Sequence, residues 1–183
     1  MLPLKDTKLL LDLSYETNEQ ASEKGRALGY ILDNDLSTKN HKVFVKNGKP
    51  YIVYRGTASR FDIGTDLKYF VGAGSHRQQI SNRVNNRVEQ KYSIMPVLLG
   101  HSLSGGLAQQ AANKNKQEVI IYNKISTPID YLRKRNKNQT NMRTHNDPVS
   151  ALLWPKKSTI TFSSRSYNPL VSHSTRALKE KNR

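Results

Sequence analysis

The chain of 183 residues carries 30 Lys and Arg against 14 Asp and Glu, a formal net charge of +16, with a mean hydropathy of −0.71. A domain of this length buries roughly 70% of the surface its unfolded chain would expose, so a substantial core is within reach. No apolar run approaches the ~20 residues of a membrane-spanning helix. The absence of cysteine excludes a disulfide framework, a thiolate metal site and a Cys nucleophile.

At the N-terminus, Met1-Leu2-Pro3-Leu4-Lys5 places charge after the first apolar residues, and Asp12 interrupts the run that begins Leu9-Leu10-Leu11. This is unlike a secretory signal, and a soluble protein is expected. Lys5 to Leu13 and Asn18 to Leu32 read as helices, the second ended by Asp33-Asn34-Asp35. The β-branched runs His41 to Lys46 and Pro50 to Tyr54 flank Asn47-Gly48, a dipeptide that tolerates positive φ and signals a hairpin. Gly72-Ala73-Gly74 reads as a turn. Ile80, Val84 and Val88 then recur every four residues among polar neighbours, which predicts a one-sided helix from Ser75 to Tyr92.

Ile94 to Leu99 has the continuous apolar character of a strand covered on both faces, and Leu103, Leu107 and Ala111 predict a helix from Ser102 to Asn113. Glu118 to Tyr122 is another buried-type strand, and Ser158 to Ser163 a last one. Arg133 to Arg143, charged and Asn-rich, reads as a solvated loop. Alternation of these periods predicts an α/β fold, a mostly parallel central sheet with helices on both faces. Residues 1–175 form one expected domain, with a basic tail over 176–183.

The chemistry-bearing segment is Val97-Leu98-Leu99-Gly100-His101-Ser102-Leu103-Ser104-Gly105-Gly106. A buried strand here runs into a helix through a turn whose apex is Ser102. Such an elbow holds the hydroxyl above the sheet edge and leaves the Leu103 amide facing the same space at a helix N-terminus, where developing negative charge is stabilised. The segment departs from strict G-x-S-x-G in carrying Ser104 at the second small position.

With those residues in place, the chain resembles the class 3 lipase family of α/β-hydrolases, whose members carry Gly-His-Ser-Leu-Gly-Gly at the elbow. Tyr54-Arg55-Gly56-Thr57 resembles the family's aromatic-Arg-Gly-Thr strand end, and Thr65-Asp66-Leu67 the acidic segment that follows it. Asn146-Asp147-Pro148-Val149 and His173 stand where its catalytic Asp and His are expected. The likeness spans Tyr54 to His173. It implies Ser102 as nucleophile, Asp147 as acid, His173 as base, Thr57 and Leu103 as oxyanion-hole donors, and a lipase or phospholipase that cleaves lipid esters.

The residue types fit that chemistry by themselves. A Ser hydroxyl needs a neutral imidazole to take its proton, and the imidazole needs a carboxylate to set its tautomer. Asp130 is the rival acid. His145, two residues from Asp147, is a rival base; His101 is assigned to packing, and His41 and His76 to the surface or half-buried positions. No His pair has metal-ligand spacing, and no cofactor is expected. Arg55 and Asp66 are read as a structural ion pair.

The charge suggests an anionic partner. Arg77, Arg83, Arg87 and Lys91 lie on one helix, and Arg176 to Arg183 forms the tail, so an anionic membrane surface is an expected partner besides the lipid or ester substrate. Nucleic acid is the alternative, on a catalytically inactive hydrolase fold, although neither zinc-finger spacing nor an aromatic RNA-binding signature is present. Composition leaves the oligomeric state open.

Overall fold

The computed structural model describes residues 2–56, 63–124, 136–147, 159–162 and 168–178. Helices α1 (Leu4–Leu13) and α2 (Asn18–Arg26) come first, then β1 (Ile31–Leu32), β2 (His41–Lys46) and β3 (Lys49–Tyr54). They are followed by α3 (Ile63–Tyr92), β4 (Val97–His101), α4 (Leu103–Asn115), β5 (Val119–Tyr122), β6 (Gln139–Thr144), β7 (Thr159–Phe162), α5 (Pro169–His173) and a 3-10 turn (Thr175–Ala177).

The seven strands make one sheet in sequence order, β1-β2-β3-β4-β5-β6-β7. The β1–β2 and β2–β3 pairs are antiparallel, and every pair from β3 to β7 is parallel. Asn47 (φ 50°) and Gly48 (φ 74°) close the β2–β3 hairpin with the positive φ values expected of this dipeptide.

Side chains alternate across a strand, so each central strand feeds two cores. Val53, Val97, Leu99, Ile120 and Tyr122 face Leu10, Leu11 and Leu13 of α1 and Ala21 of α2. Ile52, Tyr54, Leu98, Val119 and Ile121 face Val84 and Val88 of α3 and Ala108, Ala111 and Ala112 of α4. The fold is therefore α/β, with a mostly parallel sheet covered on both faces. Among the described residues, no helix is long and apolar enough to cross a membrane.

Several expected boundaries are corrected. The second helix stops at Arg26 rather than running to Leu32: Gly29 takes φ +78°, which ends the helix, and Ile31–Leu32 pair with Phe44 and Val45 as an edge strand. Gly72-Ala73-Gly74 is no turn but lies inside α3, which begins at Ile63. Three small residues between long helical flanks cost less helix propensity than the flanks supply. Strand β4 starts at Val97, since Pro96 has no N–H and Ile94 and Met95 are exposed. Part of the expected Arg133–Arg143 loop is strand β6, because β5 and β7 pair with it on either side, and just before it the Asn138 and Asn136 side chains bond the carbonyls of Lys116 and Gln117.

Candidate active site

Every parallel strand points the same way, so the ends of β4, β5 and β6 bring their following residues to one edge of the sheet. His101 closes β4 and Leu103 opens α4, leaving Ser102 as the whole turn, with φ 58° and ψ −124°. That conformation is strained for a residue with a Cβ, by about 1–3 kcal/mol. Tight backbone approach imposes it: a Cβ on Gly100 would lie 2.4 Å from the Ser104 carbonyl oxygen, and one on Gly105 would lie 2.8 Å from the Ile121 side chain. The Ser102 amide donates to the Tyr122 carbonyl on β5 (3.0 Å), which anchors the turn to the sheet.

The His173 Nε2 is 2.9 Å from the Ser102 Oγ, and its Nδ1 is 3.0 Å from the Asp147 Oδ1. A carboxylate only accepts hydrogen bonds, so the Nδ1 carries the proton and the Nε2 lone pair accepts from the Ser102 hydroxyl. Asp147 is fully buried, Ser102 is 5% exposed and His173 8% exposed. The hydroxyl is thus more enclosed than an elbow projecting into open solvent would require. Asp147 follows β6 by three residues, and its amide donates back to the Thr144 carbonyl. The Ser172 hydroxyl donates to the Asn146 carbonyl (3.0 Å), joining α5 to that loop.

Leu103 is the first residue of α4, where amide groups have no intrahelical acceptor. Thr57, the second expected oxyanion-hole residue, lies outside the described residues, as does the rival acid Asp130. The rival base His145 is exposed, with its amide on the Phe162 carbonyl (2.8 Å), while the buried triangle uses His173. Asp66 has no described side chain; the Arg55 guanidinium lies 5.7 Å from the Tyr15 ring centre.

Two histidines differ from their expected surroundings or add to them. His41 is buried, not half-exposed, because its Nε2–H donates to the Leu36 carbonyl (2.9 Å) and its Nδ1 faces the Thr38 hydroxyl (3.1 Å). His101 does pack, stacked on Tyr122 at 5.5 Å and against the His173 ring at 5.1 Å, but it also hydrogen-bonds at both nitrogens. Desolvation by burial, assisted by His173 nearby, lowers its pKa to about 4, so it is neutral at physiological pH.

Asn123, just past β5 at φ 43°, was not foreseen. It is fully buried; its Nδ2 donates to the carbonyls of Ser172 and His173 (both 3.0 Å), and its Oδ1 accepts from the Thr144 amide (2.8 Å). Its only sequence signal is an Asn directly after a buried strand, a position where Asn tolerates the left-handed region. Ser104 is explained as well. Its hydroxyl accepts from the His101 amide (3.1 Å) and reaches the carbonyls of Tyr54 (2.8 Å) and His101 (2.9 Å), tying the end of β3 to the elbow.

No protein-family model matches the chain, and neither does any curated protein sequence. Among solved structures, the chain is similar to a point mutant of MDLA from Penicillium cyclopium, with 15% identity and a TM-score of 0.58 over 89% of this chain and 78% of that one. At this identity the likeness concerns the fold.

Proposed function

We propose that the protein is a serine hydrolase of the α/β-hydrolase type, related to class 3 lipases, that cleaves carboxylic esters of lipids through an acyl-enzyme on Ser102. The observation that carries the reading is the hydrogen-bonded line from Ser102 through His173 to Asp147 at the strained end of β4. The Ser102 oxygen attacks the ester carbonyl as its proton passes to the His173 Nε2. Asp147 holds the tautomer and stabilises the imidazolium. The oxyanion is received by the Leu103 amide, and by Thr57 as the family resemblance implies. Collapse expels the alcohol, which takes the proton from His173. Water, deprotonated by the same imidazole, then releases the carboxylic acid and restores Ser102.

The +16 charge favours a substrate at an anionic surface, which points to a phospholipid or a lipid embedded among phospholipids. The same charge supports a second reading, a nucleic-acid- or membrane-binding protein on a hydrolase fold without turnover. A fluorophosphonate probe separates the two. Covalent labelling of the wild type, abolished in Ser102→Ala, with matching loss of short-chain p-nitrophenyl ester hydrolysis, supports the enzyme. An unlabelled wild type that binds nucleic acid with a steep salt dependence supports the second reading.

A further inference from the structure

A line of hydrogen bonds runs from the Tyr15 hydroxyl through the His101 ring to the backbone carbonyl of His173. The Tyr15 hydroxyl packs directly against Gly56, the second residue after β3. The Tyr15 hydroxyl lies 3.0 Å from the His101 Nδ1, and the His101 Nε2 lies 2.8 Å from the His173 carbonyl oxygen. A carbonyl only accepts, so the His101 Nε2 bears the hydrogen and its Nδ1 accepts from the Tyr15 hydroxyl. Every donor in the line has one acceptor, which leaves a single arrangement of hydrogens.

The packing is as constrained as the bonding. A Cβ on Gly56 would lie 2.6 Å from the Tyr15 hydroxyl and 2.8 Å from the His101 carbonyl oxygen. The Tyr15 ring meets the His101 ring edge-on at 6.3 Å. Tyr15 comes from the turn after α1, where its amide bonds the Asp12 carbonyl, so its hydroxyl carries a contact from the N-terminal helical layer to the candidate site.

From this geometry we infer that Tyr15 and His101 are positioning residues, a strut that sets the separation between Gly56, where the chain leaves β3, and the backbone of His173, which carries the imidazole. The inference rests on the serine-hydrolase reading. In that chemistry the oxyanion donors and the general base must both meet one reacting carbonyl, and displacement of about 1 Å in either costs roughly 100-fold in rate. Loosening the strut acts on the transition state, in which both groups are engaged, more than on substrate capture.

The test uses the full chain with a short-chain p-nitrophenyl ester and a fluorophosphonate. Tyr15→Phe keeps the ring and removes the shared hydroxyl; its kcat is expected to fall on the order of 10-fold with KM unchanged. A glutamine amide can donate where the imidazole Nε2–H does, so His101→Gln is expected to retain clearly more kcat than His101→Leu. Tyr30→Phe, which breaks a hydroxyl bond to Asp6 in the same N-terminal layer, is expected to leave kcat unchanged. Labelled wild type with unaltered kcat in Tyr15→Phe, or a His101→Gln variant no better than a folded His101→Leu, overturns the strut and leaves the hydrolase reading standing. An unlabelled, inactive wild type overturns both.

Discussion

The His173 imidazole lies 2.9 Å from the Ser102 hydroxyl although 71 positions separate the two residues in the chain. Ser102 is held by the turn between β4 and α4, whereas His173 is held through its own backbone carbonyl, gripped by His101 from one side and Asn123 from the other. Ser102 and His173 are thus referenced to the same sheet edge, formed by β4 and β5.

Asp147→Asn is expected to lower kcat on the order of 10³–10⁴-fold while the chain stays folded, because an amide in that place can present the wrong partner to the His173 Nδ1 and favour the wrong tautomer. Steady-state kinetics with circular dichroism on the same sample checks both halves. Retention of more than about a tenth of the activity removes Asp147 from the role.

Two substitutions at Ser102 separate strain from hydrogen bonding. Both Ser102→Gly and Ser102→Ala lose the hydroxyl, but only glycine tolerates φ 58° with ψ −124°. The glycine variant is expected to be the more stable of the two by about 1 kcal/mol, read from urea or thermal unfolding. Equal stabilities would mean that the turn is not strained in solution.

Ser104→Ala removes the acceptor of the buried His101 amide and the tie to the Tyr54 carbonyl. A loss of about 1–3 kcal/mol is expected, which for a chain of this size lowers Tm by roughly 2–4 °C per kcal/mol. An unchanged Tm would show that Ser104 is only a spacer at this elbow.

Stability should rise with pH across the acid range because of His101. Its folded pKa, about 4, lies below the ordinary value of 6.5, so between these values the unfolded chain binds the extra proton. Stability is therefore full above about pH 6.5 and drains as pH falls towards 4, by about 3 kcal/mol at most from this group. Tyr15, Tyr122, His173, Asp147 and Asp12 surround or act on the same ring. Thermal melts at pH 7.0 and 5.0 compared between wild type and His101→Gln check the assignment; the variant should show the shallower dependence.

Binding to vesicles containing anionic lipid is expected to weaken steeply as salt rises, and to survive in Ser102→Ala, since that substitution leaves the net charge unchanged. Sedimentation of the chain with neutral and anionic vesicles at two salt concentrations reads this out. Equal binding to both vesicle types would detach the charge from membranes.

The amino-acid order by itself determined the elements whose signals are local. A two-residue dipeptide with tolerance for positive φ was enough for the β2–β3 hairpin, and an apolar run ending in small residues was enough for the β4–Ser102–α4 elbow. The grouping of Ser102, Asp147 and His173 was legible only through the family resemblance, and the fold brings the three side chains within hydrogen-bonding distance. Tertiary structure alone decided which neighbours hold those groups. His101 was assigned to packing, Ser104 stood out only as a departure at the second small position of the elbow, and nothing local marked a role for Tyr15 or Asn123. Their hydrogen bonds cross 86, 50 and 50 positions for Tyr15–His101, Ser104–Tyr54 and Asn123–His173, and a partner at that separation exists only once the sheet has brought its strand ends together. The same reason explains β6, a polar stretch that becomes a strand because β5 and β7 offer it a hydrogen-bonding edge on each side.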